Sequence, residues 1–174
     1  MSDIRKITVL TPCFNEADNV QMLYERVRAV FQPLGGYTYE HLFIDNASTD
    51  ETVSILRKIA ARDKNVKVIV NTRNFGHVRS PYHGLLQCRG DAVIGMAADL
   101  QDPPELIPVF LEKWREGYKV VLGIKNASEE SSVMAAIRRV GYRVIDWLSE
   151  VKQVRNRPLV VEQERINFDD DTES

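Results

Sequence analysis

The stretch GMAADLQDPPE, residues 95–105, sets Asp99 and Asp102 three positions apart directly after the apolar run Ala92, Val93 and Ile94. Carboxylates so spaced can hold a hard divalent cation through oxygen, or they can satisfy the free N–H groups of a helix's first turn. Asp102 is followed by Pro103, Pro104 and Glu105, a cap residue three before an acid with proline where helices accept it best, so it reads chiefly as an N-cap, with metal ligation as the alternative. Asp99 comes too early to cap. Lodged between Ala98 and Leu100 at a strand end, its carboxylate is expected to be partly buried, which is costly unless it is paired or bound to a cation. Mg2+ or Mn2+ suits such a position, because each is commonly held by one or two protein oxygens while substrate phosphates complete the shell. Gln101 points the same way as Asp99 if the chain stays extended for two residues.

Three further polar clusters follow apolar runs. Asn15-Glu16-Ala17-Asp18 and Ser48-Thr49-Asp50-Glu51 also spell helix starts. Asp45 closes the run His41-Leu42-Phe43-Ile44 and suits either a nucleobase N–H or ribose hydroxyl, or a structural Asx-turn. The loop NTRNFGHVRS gathers Arg73, His77 and Arg79 around Gly76, a set that neutralises a diphosphate or serves the local structure. Cys13 and His77 lack the spaced partners of a zinc site, and there is neither a Gly-x-Ser-x-Gly elbow nor a Walker-type loop.

These clusters need a scaffold, and the sequence supplies one. Short β-branched runs (7–10, 41–44, 66–70, 92–96 and 119–122) alternate with segments of helical period (17–31, 50–62, 81–88, 103–115 and 131–150). Near-continuous apolar strands alternating with helices predict an α/β fold with a mostly parallel sheet covered on both faces. Ligands of such sheets bind beyond the carboxyl ends of the strands, where strand order reverses, and every cluster above lies at such an end. The expected organisation is one domain over 1–150 and an extended or disordered tail over 151–174, which loses helical period and ends in an acidic run.

Composition narrows the classes. The 174 residues are enough for a substantial core. Lys and Arg number 23 against 25 Asp and Glu, so the net charge of −2 gives no global attraction to nucleic acid or anionic lipid. Cys13 and Cys88, far apart, read as buried free thiols rather than a disulfide. With no apolar window near 18 residues, no membrane span is expected, and the chain reads as cytoplasmic.

TPCFNEADNV, FIDNASTDET, RNFGHVRSPYHGL, GDAVIGMAADLQDPPELI and EGYKVVLG, in this order and spacing, resemble the family 2 glycosyltransferases of GT-A fold. The branch they look most like is the polyisoprenyl-phosphate glycosyltransferases, the group that includes dolichol-phosphate mannose synthase and serves cell-envelope glycan synthesis. The resemblance covers residues 5–149. It implies that Pro12, Glu16 and Asp45 hold the nucleoside of a UDP- or GDP-linked sugar, that Asp99 and Gln101 are the catalytic metal and diphosphate site, and that Arg79 is a looser diphosphate contact. It also implies inverting transfer to a lipid phosphate acceptor, with Mg2+ or Mn2+ taking up charge on the leaving diphosphate.

Two departures stand out. Ala97-Ala98-Asp99 replaces the Asp-Ala-Asp of many relatives, and the later part of the catalytic domain together with the membrane spans is missing, so the sheet is expected to be incomplete at its C-terminal part. RPLVVEQERINF resembles the segment that follows those spans. The helix expected at 131–150, with Ile137, Val140, Val144 and Leu148 on one side, docks on its own sheet, on a partner subunit in a homo-oligomer, or peripherally on a membrane surface. The alternatives to an active transferase are a catalytically incomplete nucleotide-sugar-binding remnant and an assembly module pairing with itself or a full-length relative.

Overall fold

A computed structural model of the chain describes residues 4–125 and 163–168. Four strands, β1 (Arg5–Cys13), β2 (Tyr37–Asp45), β3 (Val66–Val70) and β4 (Ala92–Gly95), form one parallel sheet in the order β3-β2-β1-β4. Their links are α1 (Val20–Phe31), α2 (Thr52–Arg62) and α3 (Gly76–Gln87). After β4 come a 3-10 turn, Pro104–Leu106, and α4 (Ile107–Arg115). The chain divides into two compact units, 1–108 and 109–174. In the second, β5 (Val120–Lys125) pairs in parallel with β6 (Gln163–Phe168), so part of the stretch expected to be a tail is a strand. The predicted helix at 131–150 and the predicted boundary at 150 lie outside the described residues.

The two faces of the sheet follow from side-chain alternation. Odd-numbered residues of β1 and β2 face α1 and α2: Ile7, Val9, His41 and Phe43 are buried, and Phe31 of α1 stacks on Tyr39 of β2 at 4.4 Å between ring centroids. Even-numbered residues face α3. Leu10, Leu42 and Ile44 form a cluster there with Ile69 and Cys88, and Gly84 of α3 lies so close that a Cβ would sit 2.8 Å from Leu10 Cδ1 and 3.0 Å from Ile44 Cγ2. Helices therefore cover both faces, as expected of the α/β class.

The even face also carries a polar clamp at mid-strand. Buried Glu40 accepts from Lys67 Nζ at 2.7 Å, from the Thr8 hydroxyl at 2.8 Å, from the Arg89 N–H at 3.1 Å, and from Lys6 Nζ. Burial alone raises the pKa of this carboxyl, but the two ammonium groups and two further donors outweigh that and hold it at about 2.

Two helix starts differ from the sequence reading. α3 begins at Gly76, with φ +84, and takes Pro81 into its interior, although Pro81 was read as the first helical position. After β4 the cap position belongs to Pro103, without a side-chain bond, so Asp102 is exposed and is not the N-cap expected of it. The cause is the Pro-Pro pair: the residue before a proline is pushed out of the helical region, and Pro103 is extended at ψ 124. Glu105, read as the other half of that capping box, instead binds Arg26 of α1 through both oxygens, with Nε to Oε1 at 2.9 Å.

Candidate functional site

Parallel strands place all four carboxyl ends along one rim, and the order β3-β2-β1-β4 reverses between β1 and β4, which opens a crevice there. Among the described residues three non-glycine residues adopt positive φ, and each sits in a loop leaving this rim: Asn15 (φ 57) after β1, Ala47 (φ 64) after β2 and Leu100 (φ 61) after β4. A left-handed alanine or leucine costs free energy and persists only where its surroundings hold it, a pattern that gathers at working sites.

What holds the first two loops is a mutual lacing. The Asn15 N–H donates to the Ser48 hydroxyl at 2.8 Å, the Thr49 N–H donates to Asn15 Oδ1 at 2.8 Å, the Glu16 N–H to Thr52 Oγ1 at 2.8 Å, and the Ala17 N–H to Asp50 Oδ2 at 3.1 Å. Neither α1 nor α2 has a side-chain bond from its own cap residue. Asn15, Ser48 and Asp50, read as parts of capping boxes, thus bond to each other's loops, and Asp50 also accepts the Thr52 N–H at 3.0 Å at the start of α2.

Asp45 is fully buried at the end of β2, with Oδ2 accepting the Ser48 N–H at 3.0 Å and Oδ1 accepting the Ser48 hydroxyl. Of the two readings of Asp45, this geometry is the Asx-type turn, and it leaves lone pairs on both oxygens for further donors. Pro12, near the end of β1, and Glu16, on the loop that follows, are half-buried, with Glu16 Oε2 accepting from Asn19 Nδ2 at 2.8 Å. Cys13 is buried between these loops. Burial, and then the charges of Asp45, Glu16 and Asp50, push its thiol far above the usual range, so it stays neutral.

Sequence reasoning missed Asn46. Its side chain, nearly excluded from solvent, accepts from the Phe75 N–H at 2.9 Å and from Asn71 Nδ2 at 3.2 Å, and donates to Asn74 Oδ1 at 2.9 Å and the Gly76 carbonyl at 3.3 Å. One amide thereby fastens the loop between β3 and α3 to the end of β2. An Asn in a polar turn carries no special mark, and its partners lie 25–30 positions away.

Across the switch point, Asp99 is exposed, not partly buried as expected, because the chain turns at once after β4 and swings the carboxylate outward. Leu100 is left-handed, so the extended geometry that would align Gln101 with Asp99 is absent; instead the Gln101 N–H donates to Asp99 Oδ1 at 3.2 Å. Among the described residues no cluster of three His, Cys, Asp or Glu is close enough to bind a metal alone. An exposed carboxylate with one oxygen engaged fits a Mg2+ or Mn2+ ion whose other ligands come from phosphate and water.

Arg79 lines a cleft of about 430 Å³ with Ile69, Val70, Phe75, Ser80 and His83, all from β3, α3 and the loop between them. Pro12, Glu16 and Asp99 are not among the residues that line this cleft with Arg79. Arg73, grouped with it in the sequence, stacks over the Phe75 ring at 4.8 Å.

Loops from β1, β2 and β4 thus surround the strand-order reversal, with Pro12, Glu16 and Asp45 on one side and Asp99 on the other. The profile for "Glycosyl transferase family 2" spans residues 8–164. The chain belongs to glycosyl transferase family 2. Family relatives include a bactoprenol glucosyl transferase of Shigella phage SfV, 35% identical over 157 residues that make up 90% of this chain and 49% of the relative. An undecaprenyl-phosphate 4-deoxy-4-formamido-L-arabinose transferase of Pseudomonas fluorescens is 36% identical over 82% of this chain and 41% of its own length. The chain thus spans about half the length of the curated relatives it matches. In fold it is similar to a mannosyltransferase from Pyrobaculum calidifontis solved with GDP-Man and Mn2+, at TM-score 0.59 and 23% identity over 72% of this chain and 38% of that one. The architecture is the GT-A fold.

Proposed function

We propose that this family 2 chain binds a nucleoside diphosphate sugar at the β1/β4 crevice and takes part in transferring the sugar, with inversion, to a polyprenyl phosphate. The single observation that carries the proposal is the laced rim: two strained loops, tied to each other, hold Pro12, Glu16 and Asp45 on one side of the strand reversal while Asp99 projects on the other. The names of the bactoprenol and undecaprenyl-phosphate relatives support the lipid acceptor, and the GDP-Man and Mn2+ of the mannosyltransferase support the donor class and the cation.

In this reading Glu16 accepts from a ribose hydroxyl and Pro12 packs against the nucleoside, while Asp45, fully buried behind Ser48, accepts from the base or ribose only once the Ser48 loop shifts on binding. Asp99 would hold Mg2+ or Mn2+, with Gln101 joining it if its side chain swings round, and the bound cation would supply positive charge to the departing diphosphate. Arg79 adds positive charge on the diphosphate side from the first half of α3. The lipid phosphate oxygen forms the new bond to the anomeric carbon as the bond to the nucleoside diphosphate breaks; being an anion already, the acceptor needs no general base. The organisation proposed is a catalytic domain over 1–150 followed by a C-terminal segment whose strand β6 pairs with β5.

A thermal-melting panel of UDP- and GDP-linked sugars with Mn2+ tests the donor reading. One of them raises the melting temperature; an unchanged curve across the panel rejects it. Donor binding without transfer to any polyprenyl phosphate would assign the chain to donor capture alone.

A further inference from the structure

α3 is inverted relative to an ordinary surface helix. Its sheet-facing side holds the small residues Ser80, 2% exposed, and Gly84, while bulky apolar side chains turn outward: Val78 is 66% exposed, Tyr82 61% and Leu86 63%, with Leu85 and Phe75 also exposed. Positions 75, 78, 82, 85 and 86 follow the three-and-four spacing of one helical face, so they form a single stripe away from the sheet. The close approach at Gly84 fixes this orientation, because no larger residue fits against Leu10 and Ile44.

The charge around the stripe is one-sided. None of the chain's 25 acidic residues falls between positions 71 and 90, whereas Arg73, Arg79 and Arg89 and two of its three histidines, His77 and His83, do. All five are exposed, and Arg79 and His83 run along one flank of the stripe. In a chain of net charge −2 this is a local cationic surface around an apolar strip. A second copy docked across a twofold would set these cations against their like, which disfavours pairing through this face. Apolar side chains flanked by cations, on a helix that carries no acid, complement an anionic lipid surface, where the former enter the headgroup region and the latter meet phosphate.

We propose that the outer face of α3 docks this chain on anionic membranes. The surface differs from the predicted helix at 131–150 and does not depend on the nucleotide reading. It is tested by co-sedimentation of the chain with vesicles of phosphatidylcholine and phosphatidylglycerol at three to one, and with phosphatidylcholine alone, beside Tyr82→Asp and Leu86→Asp. Both variants change exposed side chains and keep the parent melting temperature. The expected result is binding to the anionic vesicles only, weakened by salt, and reduced roughly tenfold or more in either variant. Three results overturn the proposal: parent protein left in the supernatant, variants that bind like the parent, or a dimer split by the variants without vesicle binding, which would make the face a contact between copies.

Discussion

The backbone N–H of Asn15 donates to the hydroxyl of Ser48 at 2.8 Å, across 33 positions of sequence, while the same hydroxyl donates to buried Asp45. One serine therefore sets the left-handed turn after β1 and orients the carboxylate that ends β2. Ser48→Ala removes both bonds and leaves an oxygen of a buried aspartate without its donor. The expected loss is ~1–3 kcal/mol in urea denaturation, with weaker nucleotide binding by calorimetry. A variant as stable as the parent would mean that the lacing contributes nothing.

Asn46→Asp tests the second fastening. The change is nearly isosteric but removes the N–H donors to Asn74 Oδ1 and the Gly76 carbonyl, setting carboxylate oxygen against oxygen. Destabilisation of ~1–3 kcal/mol is expected. Hydrogen exchange at the Phe75 amide, which bonds to Asn46, should speed up ahead of the amides of β1 and β2.

Two buried groups set the acid response, in different windows. His41 is fully buried against Phe43, with Nε2 at 3.0 Å from the Thr11 hydroxyl and Nδ1 without a partner, and burial lowers its pKa to about 3 despite the nearby Asp63 charge. The unfolded chain takes up this proton near pH 6.5, so His41 costs stability as pH falls from about 6.5 toward 3. Glu40 is also depressed, to about 2, so its contribution is full above about pH 4.5 and is lost as pH falls through 2. His41→Gln should flatten the upper part of a stability-against-pH curve, and Glu40→Gln the lower part. An unchanged slope in either variant would contradict these assignments.

Much of the scaffold was legible because it rests on local signals. The β-branched runs marked the four strands of the sheet, and the strand-helix alternation implied its parallel order. What was not legible depends on pairs distant in sequence. β2 begins at Tyr37, well before the apolar run, because Glu40 finds Lys6, Lys67 and Thr8 on neighbouring strands. Asn15, Ser48 and Asp50 matched capping motifs, and beyond the Asp50 bond to the Thr52 N–H they tie the two loops to each other across the rim. The exposure of Asp99 followed from a turn and a left-handed Leu100 that no residue type announced. Pro81 looked like a helix start and lies inside α3, whose true start is the positive-φ Gly76.

The most direct test is titration calorimetry with the UDP- and GDP-linked sugars, with and without Mn2+, on the parent chain and on Asp99→Ala. The predicted result is one nucleotide sugar bound more tightly with Mn2+ by the parent, and the same sugar bound by Asp99→Ala with no gain from the cation. Equal enhancement by Mn2+ in both proteins, or no binding of any sugar nucleotide, would contradict the placement of the cation at Asp99 and of the donor at the β1/β4 crevice.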